Sequence, residues 1–272
     1  MTVFTAALLG LIQGIAELFP LSSLGILVIL PHITSLTVPT SGARYLPFLV
    51  ALHLGTALAL FVYFFAEWRR LFKGFIAWIR GRRTTDGRLF WMVVWATIPA
   101  GLVGLVLKHR LSALFGRPVL AAAFLVINGL IMLVGDRWHT RMHKDLRLRD
   151  LSVGQALKVG LFQVLALIPG LSRSGSTITG GVGLGLRYED AARFSFLMAT
   201  PIILAAGLVE IPKLSHGGTH GLMMPSLIGG MVAALVAWLS THFLMRYFEH
   251  HRLRVFAFVS MALGVLGLAL IH

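Results

Sequence analysis

Gly10-Leu-Ile-Gln-Gly-Ile-Ala-Glu-Leu-Phe-Pro-Leu-Ser-Ser-Leu-Gly25 can be laid without a gap on Gly160-Leu-Phe-Gln-Val-Leu-Ala-Leu-Ile-Pro-Gly-Leu-Ser-Arg-Ser-Gly175. Seven of the 16 positions match at an offset of 150 residues: Gly10/Gly160, Leu11/Leu161, Gln13/Gln163, Ala16/Ala166, Leu21/Leu171, Ser22/Ser172 and Gly25/Gly175. Each copy lies in an apolar stretch, Val3–Pro31 or Val153–Leu186, interrupted by a polar, Pro/Gly-containing centre. Three unbroken apolar runs follow each copy. They are Leu46–Ala66, Leu89–Leu107 and Pro118–Gly135 after the first, and Ala191–Ile211, Leu222–Met245 and Leu253–Ile271 after the second. About 20 apolar residues cross a bilayer, so these six runs predict spans. The arms of the interrupted stretches are roughly half a span to most of a span long. Non-helical backbone inside hydrocarbon must be buried in protein or line a cavity, because its free N–H and C=O groups need partners. That predicts two re-entrant helix–loop–helix segments in place of kinked spans. Three is an odd number of crossings, so the second copy is inverted. The expected fold is an all-α integral membrane protein with six transmembrane helices and two re-entrant segments in an inverted-topology repeat. It forms one membrane domain over residues 1–272, with repeat one about 1–135 and repeat two about 150–272.

Composition agrees. Of 272 residues 57% are hydrophobic and 12% charged, against roughly 25% charged in soluble domains. The mean hydropathy is +0.84. These values exclude an ordinary soluble enzyme and a disordered chain. The net charge of +14, from 24 Lys and Arg against 10 Asp and Glu, falls in short gaps between apolar runs. It is read as anchoring to anionic headgroups, not as a nucleic-acid surface. With no cysteine there are no disulfides or thiolate metal sites. The N-terminus has no basic stretch before its apolar run and is read as mature sequence.

The gap Glu67–Arg88 holds seven basic residues and Asp136–Asp150 holds five, which places both in the cytoplasm. His32–Tyr45 and Pro212–Gly221 each have one, and Lys108–Arg117 is a weaker fit with Lys108, Arg110 and Arg117; all three fall outside. Both termini then lie outside too.

The chemistry is expected where the copies differ. Glu17 in the first stands where the second has Leu167, and Ser23 stands where the second has Arg173. An ionisable residue inside a membrane is costly and marks function by default. Gln13 and Glu17, at i and i+4, share a helix face and offer hard oxygen ligands suited to Mg²⁺ or Ca²⁺. Ser22, Ser172, Ser174, Gly175 and Thr177, with Arg173 and the N-terminal ends of the half-helices, suit phosphate oxygens. His53 falls well inside the first span, as a core histidine or a site residue. Gly170-Leu-Ser-Arg-Ser174 lacks the final glycine and the preceding strand of a nucleophile elbow.

At these motifs the sequence resembles the BacA-type undecaprenyl-diphosphate phosphatases. That family's first motif, Glu or Gln, three residues, Glu, then Pro-x-Ser-Ser-x-Gly-His, reads here as Gln13 to Glu17 and Pro20-Leu-Ser22-Ser23-Leu-Gly25-Ile26. Its second motif, Pro-Gly-x-Ser-Arg-Ser-x-x-Thr, is complete from Pro169 to Thr177. The resemblance implies hydrolysis of undecaprenyl diphosphate to the monophosphate for cell-wall lipid-carrier recycling, in the bacterial inner membrane. It implies catalytic roles for Glu17, Ser23 and Arg173, and substrate contacts from Ser22, Ser172, Ser174, Gly175 and Thr177; His53 joins the catalytic candidates from its place inside the first span, not from the resemblance. Gln13 and Glu17 would take a divalent cation, and the partners would be the polyprenyl lipid and the bilayer, with a homodimer left open. The nucleophile is Ser23 or a water. Ile26 stands in place of the family's histidine, so that histidine is dispensable, another group such as His53 substitutes for it, or hydrolysis is lost; on the substitution reading His53→Ala lowers activity and Ile26→His partly rescues it. The rival readings are a transporter of a phosphorylated polyprenyl lipid and a catalytically inactive lipid-phosphate binder.

Overall fold

A computed structural model describes residues 1–34, 42–107, 110–111, 113–142, 145–210 and 222–271. The described residues form eleven α-helices, with a lone β-bridge between Leu146 and Leu186. The first interrupted stretch is two helices, α1 (Val3–Ala16) and α2 (Ser23–Ile33). At 1.5 Å per residue these 14 and 11 residues reach about 21 and 16 Å, short of the roughly 30 Å hydrocarbon core. Next come α3 (Gly42–Tyr63), α4 (Phe65–Ile79), α5 (Thr85–Val106) and α6 (Pro118–Met142). The second interrupted stretch gives α7 (Val153–Leu165) and α8 (Arg173–Gly183). Then follow α9 (Tyr188–Glu210), α10 (Met223–His250) and α11 (Arg254–Leu270). Helices α3, α5, α6, α9 and α10 are long and apolar enough to cross a membrane, and the 17 residues of α11 reach the short end of that range.

One expectation needs correction. The basic gap from Glu67 to Arg88 is not a mere connection between spans, since its first half is α4. Trp68, Leu71, Phe72, Phe75, Ile76 and Ile79 recur at helical spacing among the basic residues. Trp68 and Leu71 are buried, and Phe75 stacks near Phe90 of α5 at 4.6 Å. Much of the three gaps expected outside, 35–41, 108–109, 112 and 211–221, lies beyond the described residues.

The packing crosses between the halves of the chain. Helix α1 packs on α10 and α7 packs on α5, while α3 pairs with α9 and α6 with α11. The matched glycines explain the first two contacts. A Cβ on Gly10 would stand 2.3 Å from the carbonyl oxygen of Gly229, and one on Gly160 2.3 Å from that of Ala96. Small residues at these crossings let backbones close up, as apolar burial cannot drive helix association in lipid. Where the cytoplasmic face is expected, buried Asp136 of α6 accepts from Tyr188 Oη of α9 and pairs with Arg254 of α11.

The two loops meet. A Cβ on Gly25 would lie 2.7 Å from Gly170 Cα, and Gly170 itself has φ +101°, with only 2.3 Å between its Cβ position and Ala121 O. Asn128, midway along α6, ties both down. Its Nδ2 donates to Pro20 O (3.0 Å) and Ser260 Oγ (3.0 Å), and its Oδ1 accepts from Ser172 N (2.9 Å).

Candidate active site

Helix α1 ends at Ala16, and the next residue, Glu17, caps it and turns its carboxylate toward the junction of the loops. Glu17 is 7% exposed and every neighbour faces it with a donor. Ser23 Oγ donates to Oε2 at 2.6 Å and Gln13 Nε2 to the same oxygen at 3.2 Å. Arg173 Nε and Nη2 both donate to Oε1, at 3.3 and 3.2 Å. His53 Nε2 lies 3.2 Å from Oε2. His53 Nδ1 is 2.8 Å from Leu49 O, a pure acceptor, so the hydrogen there is on the ring. Two lone pairs do not face each other at 3.2 Å in a buried site. One proton therefore lies between His53 Nε2 and Glu17 Oε2.

The second copy is arranged to hold Arg173 out from the start of α8. Ser172 caps that helix, accepting from Gly175 N at 3.1 Å, and Arg173 Nη1 donates to Ser195 O at 3.1 Å. Ser22 caps α2 in the same way, accepting from Gly25 N at 3.3 Å, but with φ at +62°. A left-handed serine is uncommon and costs of order 1 kcal/mol or more, a strain that functional sites retain. The N-terminal ends of α2 and α8 border one cavity, where the partial positive charge of a helix start suits an anion.

That cavity holds about 190 Å³. Glu17, Ser22, Ser23, His53, Ser172 and Arg173 form its polar end, and Leu49 and Val50 of α3 with Ile202, Ile203 and Ala206 of α9 form an apolar wall. A charged headgroup with a hydrocarbon tail matches both ends.

Three residues expected to touch substrate stand off the cavity. Ser174 Oγ donates to Glu17 O (3.1 Å), fixing the acid's backbone. Thr177 Oγ1 donates to Arg173 O (2.7 Å) and shares a hydrogen with Ser195 Oγ (2.7 Å). Gly175 is packed between Ser172, Asn128 and Pro20. All three are buried because they face into α8's own packing. Ile26 is also off the site. It packs on the apolar cluster of Val28, Ile29, Ala121 and Leu125, so the expected exchange of roles with His53 has no geometric basis. Asn128 and Ser195 escaped the sequence reading; a lone amide in the apolar run Pro118–Gly135 was the available signal for Asn128.

Among the described residues no three His, Asp or Glu side chains form a metal cluster. The first copy does offer two hard oxygens one turn apart, the Glu17 carboxylate and Gln13 Oε1, which is buried without a partner. Mg²⁺ is commonly held by one or two protein oxygens plus substrate phosphates; of this pair Glu17 lines the cavity, and Gln13 stands behind it, off the cavity.

The family pattern described as "Bacitracin resistance protein BacA" matches residues 6–266. Undecaprenyl-diphosphatase 2 of Burkholderia ambifaria is 45% identical over 276 residues, covering 100% of this chain and 99% of its own. Undecaprenyl-diphosphatase 2 of Chromobacterium violaceum is 46% identical, covering 98% of each. Undecaprenyl-diphosphatase 1 of Burkholderia pseudomallei is 45% identical, covering 100% and 99%. The complete second motif, the two loops converging on Glu17 and a match over nearly the whole length agree: this chain belongs to the BacA family.

Proposed function

We propose that this protein hydrolyses undecaprenyl diphosphate to the monophosphate, regenerating the lipid carrier of cell-wall synthesis, in the bacterial inner membrane. The observation that carries the mechanism is the 2.6 Å hydrogen bond from Ser23 Oγ to Glu17 Oε2, on a carboxylate whose other oxygen meets Arg173. It supports Glu17 as the base that the sequence alone left unassigned.

Ser23 Oγ attacks the terminal phosphorus as Glu17 Oε2 takes its proton. The bond from phosphorus to the bridging oxygen breaks, and the lipid monophosphate leaves. Glu17 passes that proton to the departing lipid phosphate; water then attacks the phosphoserine as Glu17 takes a proton from it, and inorganic phosphate departs as that proton passes to Ser23 Oγ. Arg173 and the N-terminal ends of α2 and α8 stabilise the charge on the equatorial oxygens, the main contribution a protein makes to phosphoryl transfer. His53 holds the carboxylate from the other side and shares its proton. Glu17, with Gln13 behind it, would hold Mg²⁺ or Ca²⁺, which when bound neutralises diphosphate charge. Glu17, Ser23, His53 and Arg173 all line the same cavity.

Ser23→Ala should abolish phosphate release from undecaprenyl diphosphate by purified protein, and acid quenching of the wild type should trap phosphate on Ser23. Near-normal turnover in Ser23→Ala would make water the nucleophile.

With the basic segments in the cytoplasm, the start of α3 and the end of α9 face outward. The apolar wall of the cavity is made from those ends, so the substrate is drawn from the outer leaflet. The same orientation puts both termini outside and makes residues 1–135 and 150–272 inverted copies. A single cysteine at Ser41 should react with an impermeant thiol reagent in cells stripped of the outer barrier, and one at Thr85 should not. Labelling at Thr85 reverses the assignment.

A further inference from the structure

Gln163 is the repeat mate of Gln13, and the two amides have opposite surroundings. Gln13 Nε2 donates to Glu17, four residues on, at 3.2 Å. Four residues after Gln163 stands Leu167, which offers nothing. Gln163 is 2% exposed, and neither its Nε2 nor its Oε1 has a partner. Buried polar groups are nearly always hydrogen-bonded, so a side chain with both ends unpaired calls for an explanation. Its place supplies one. Gln163 lines the same cavity as Ser23 and Arg173. The other polar side chains there are engaged with one another or with backbone, such as Ser22 with Leu171 O and Ser172 with Ser174. Gln163 is the one left for a ligand.

A diphosphate brings two phosphates. The transferred one must lie against Ser23, Arg173 and the helix N-termini. The other carries the lipid and needs a donor of its own on a wall that is otherwise apolar. We infer that Gln163 binds this lipid-linked phosphate, with Nε2 donating to one of its oxygens and Oε1 accepting from a water that hydrates it. The inference rests on the diphosphatase reading above. It has a consequence for the product. The released lipid keeps the phosphate that Gln163 grips, so the same amide governs product release.

The test compares wild type with Gln163→Met, which keeps the volume and removes the amide. One lost hydrogen bond to a charged group corresponds to about tenfold or more in affinity. KM for undecaprenyl diphosphate should rise by that factor with a much smaller change in kcat. Inhibition by undecaprenyl monophosphate should weaken equally. Inhibition by inorganic phosphate, which fits the Arg173 end, should stay as it was. The variant should unfold at no lower temperature, since two unpaired polar atoms are gone. Gln163→Glu, of the same shape but with charge in place of the donor, should bind worse than Gln163→Met. Unchanged KM and unchanged monophosphate inhibition would overturn the inference. So would a fall in kcat with both inhibitions intact, which marks a packing role. Direct binding of undecaprenyl monophosphate to both proteins needs no turnover. If the wild type releases no phosphate, the diphosphatase reading fails, and this binding comparison still decides the role of Gln163.

Discussion

The two loops are built alike and equipped differently. Both join a half-helix to a serine-capped second half-helix, both are held by Asn128, and both press a glycine against the other. The first carries the acid and the hydroxyl, Glu17 and Ser23; the second carries Leu167 and Arg173 at those positions. The caps differ as well, Ser22 with φ +62° and Ser172 with φ −79°. Identical loops would have faced acid with acid or guanidinium with guanidinium, and like charges in a low-dielectric site repel strongly. Divergence at two positions turns a repeat into an ion pair with a hydroxyl beside it. The repeat provides the frame, and the chemistry lies in its asymmetry.

The comparison can be broken most directly at its charged position. Glu17→Gln makes the first loop resemble the second in having no acid. It should lower phosphate release by a factor on the order of a thousand, within the usual range for a general base. It should also destabilise the fold, because Arg173 and His53 are left buried without a counter-charge. Phosphate release and thermal unfolding in detergent check both; turnover within a few-fold of wild type removes Glu17 from the mechanism.

The shared frame is tested at Asn128. Asn128→Leu leaves Pro20 C=O and Ser172 N–H buried and unpaired, one in each loop. A loss of about 2 to 4 kcal/mol is expected from two such groups. The unfolding midpoint measures it. An unchanged midpoint would mean the loops hold each other without Asn128.

The smallest effect is expected at Ile26. Its side chain packs on a cluster of α2 and α6 residues and does not line the cavity, so Ile26→His should leave turnover within about twofold. It should not restore activity to His53→Ala, since residue 26 does not line the cavity that holds Glu17. Rescue in the double variant would show that α2 turns that face to the substrate.

Much of this was legible in the chain. Apolar runs of about 20 residues gave the spans, because the bilayer fixes their length. Pro20 and Pro169-Gly170 within apolar stretches marked where each stretch divides into two short helices, because proline and glycine break the helical ladder. The mismatches Glu17/Leu167 and Ser23/Arg173 gave the charged centre. Amphipathic α4 was missed because its basic residues dominated the reading of that gap.

What the sequence determined alone is one-dimensional: where the spans fall, where they break, and which rare polar residues the membrane must accommodate. The tertiary structure decided which of those residues meet. Glu17, Ser23, His53 and Arg173 come from four helix ends or faces up to 156 residues apart. Whether Ser23 has a base depended on how α1 and α2 turn toward each other. Ser174 and Thr177 went to the backbone and Gln163 to the cavity through the rotation of α7 and α8 about their own axes. That rotation is set by close packing on neighbouring helices, such as Gly160 on Ala96 and Gly180 on Phe162, which no local pattern encodes.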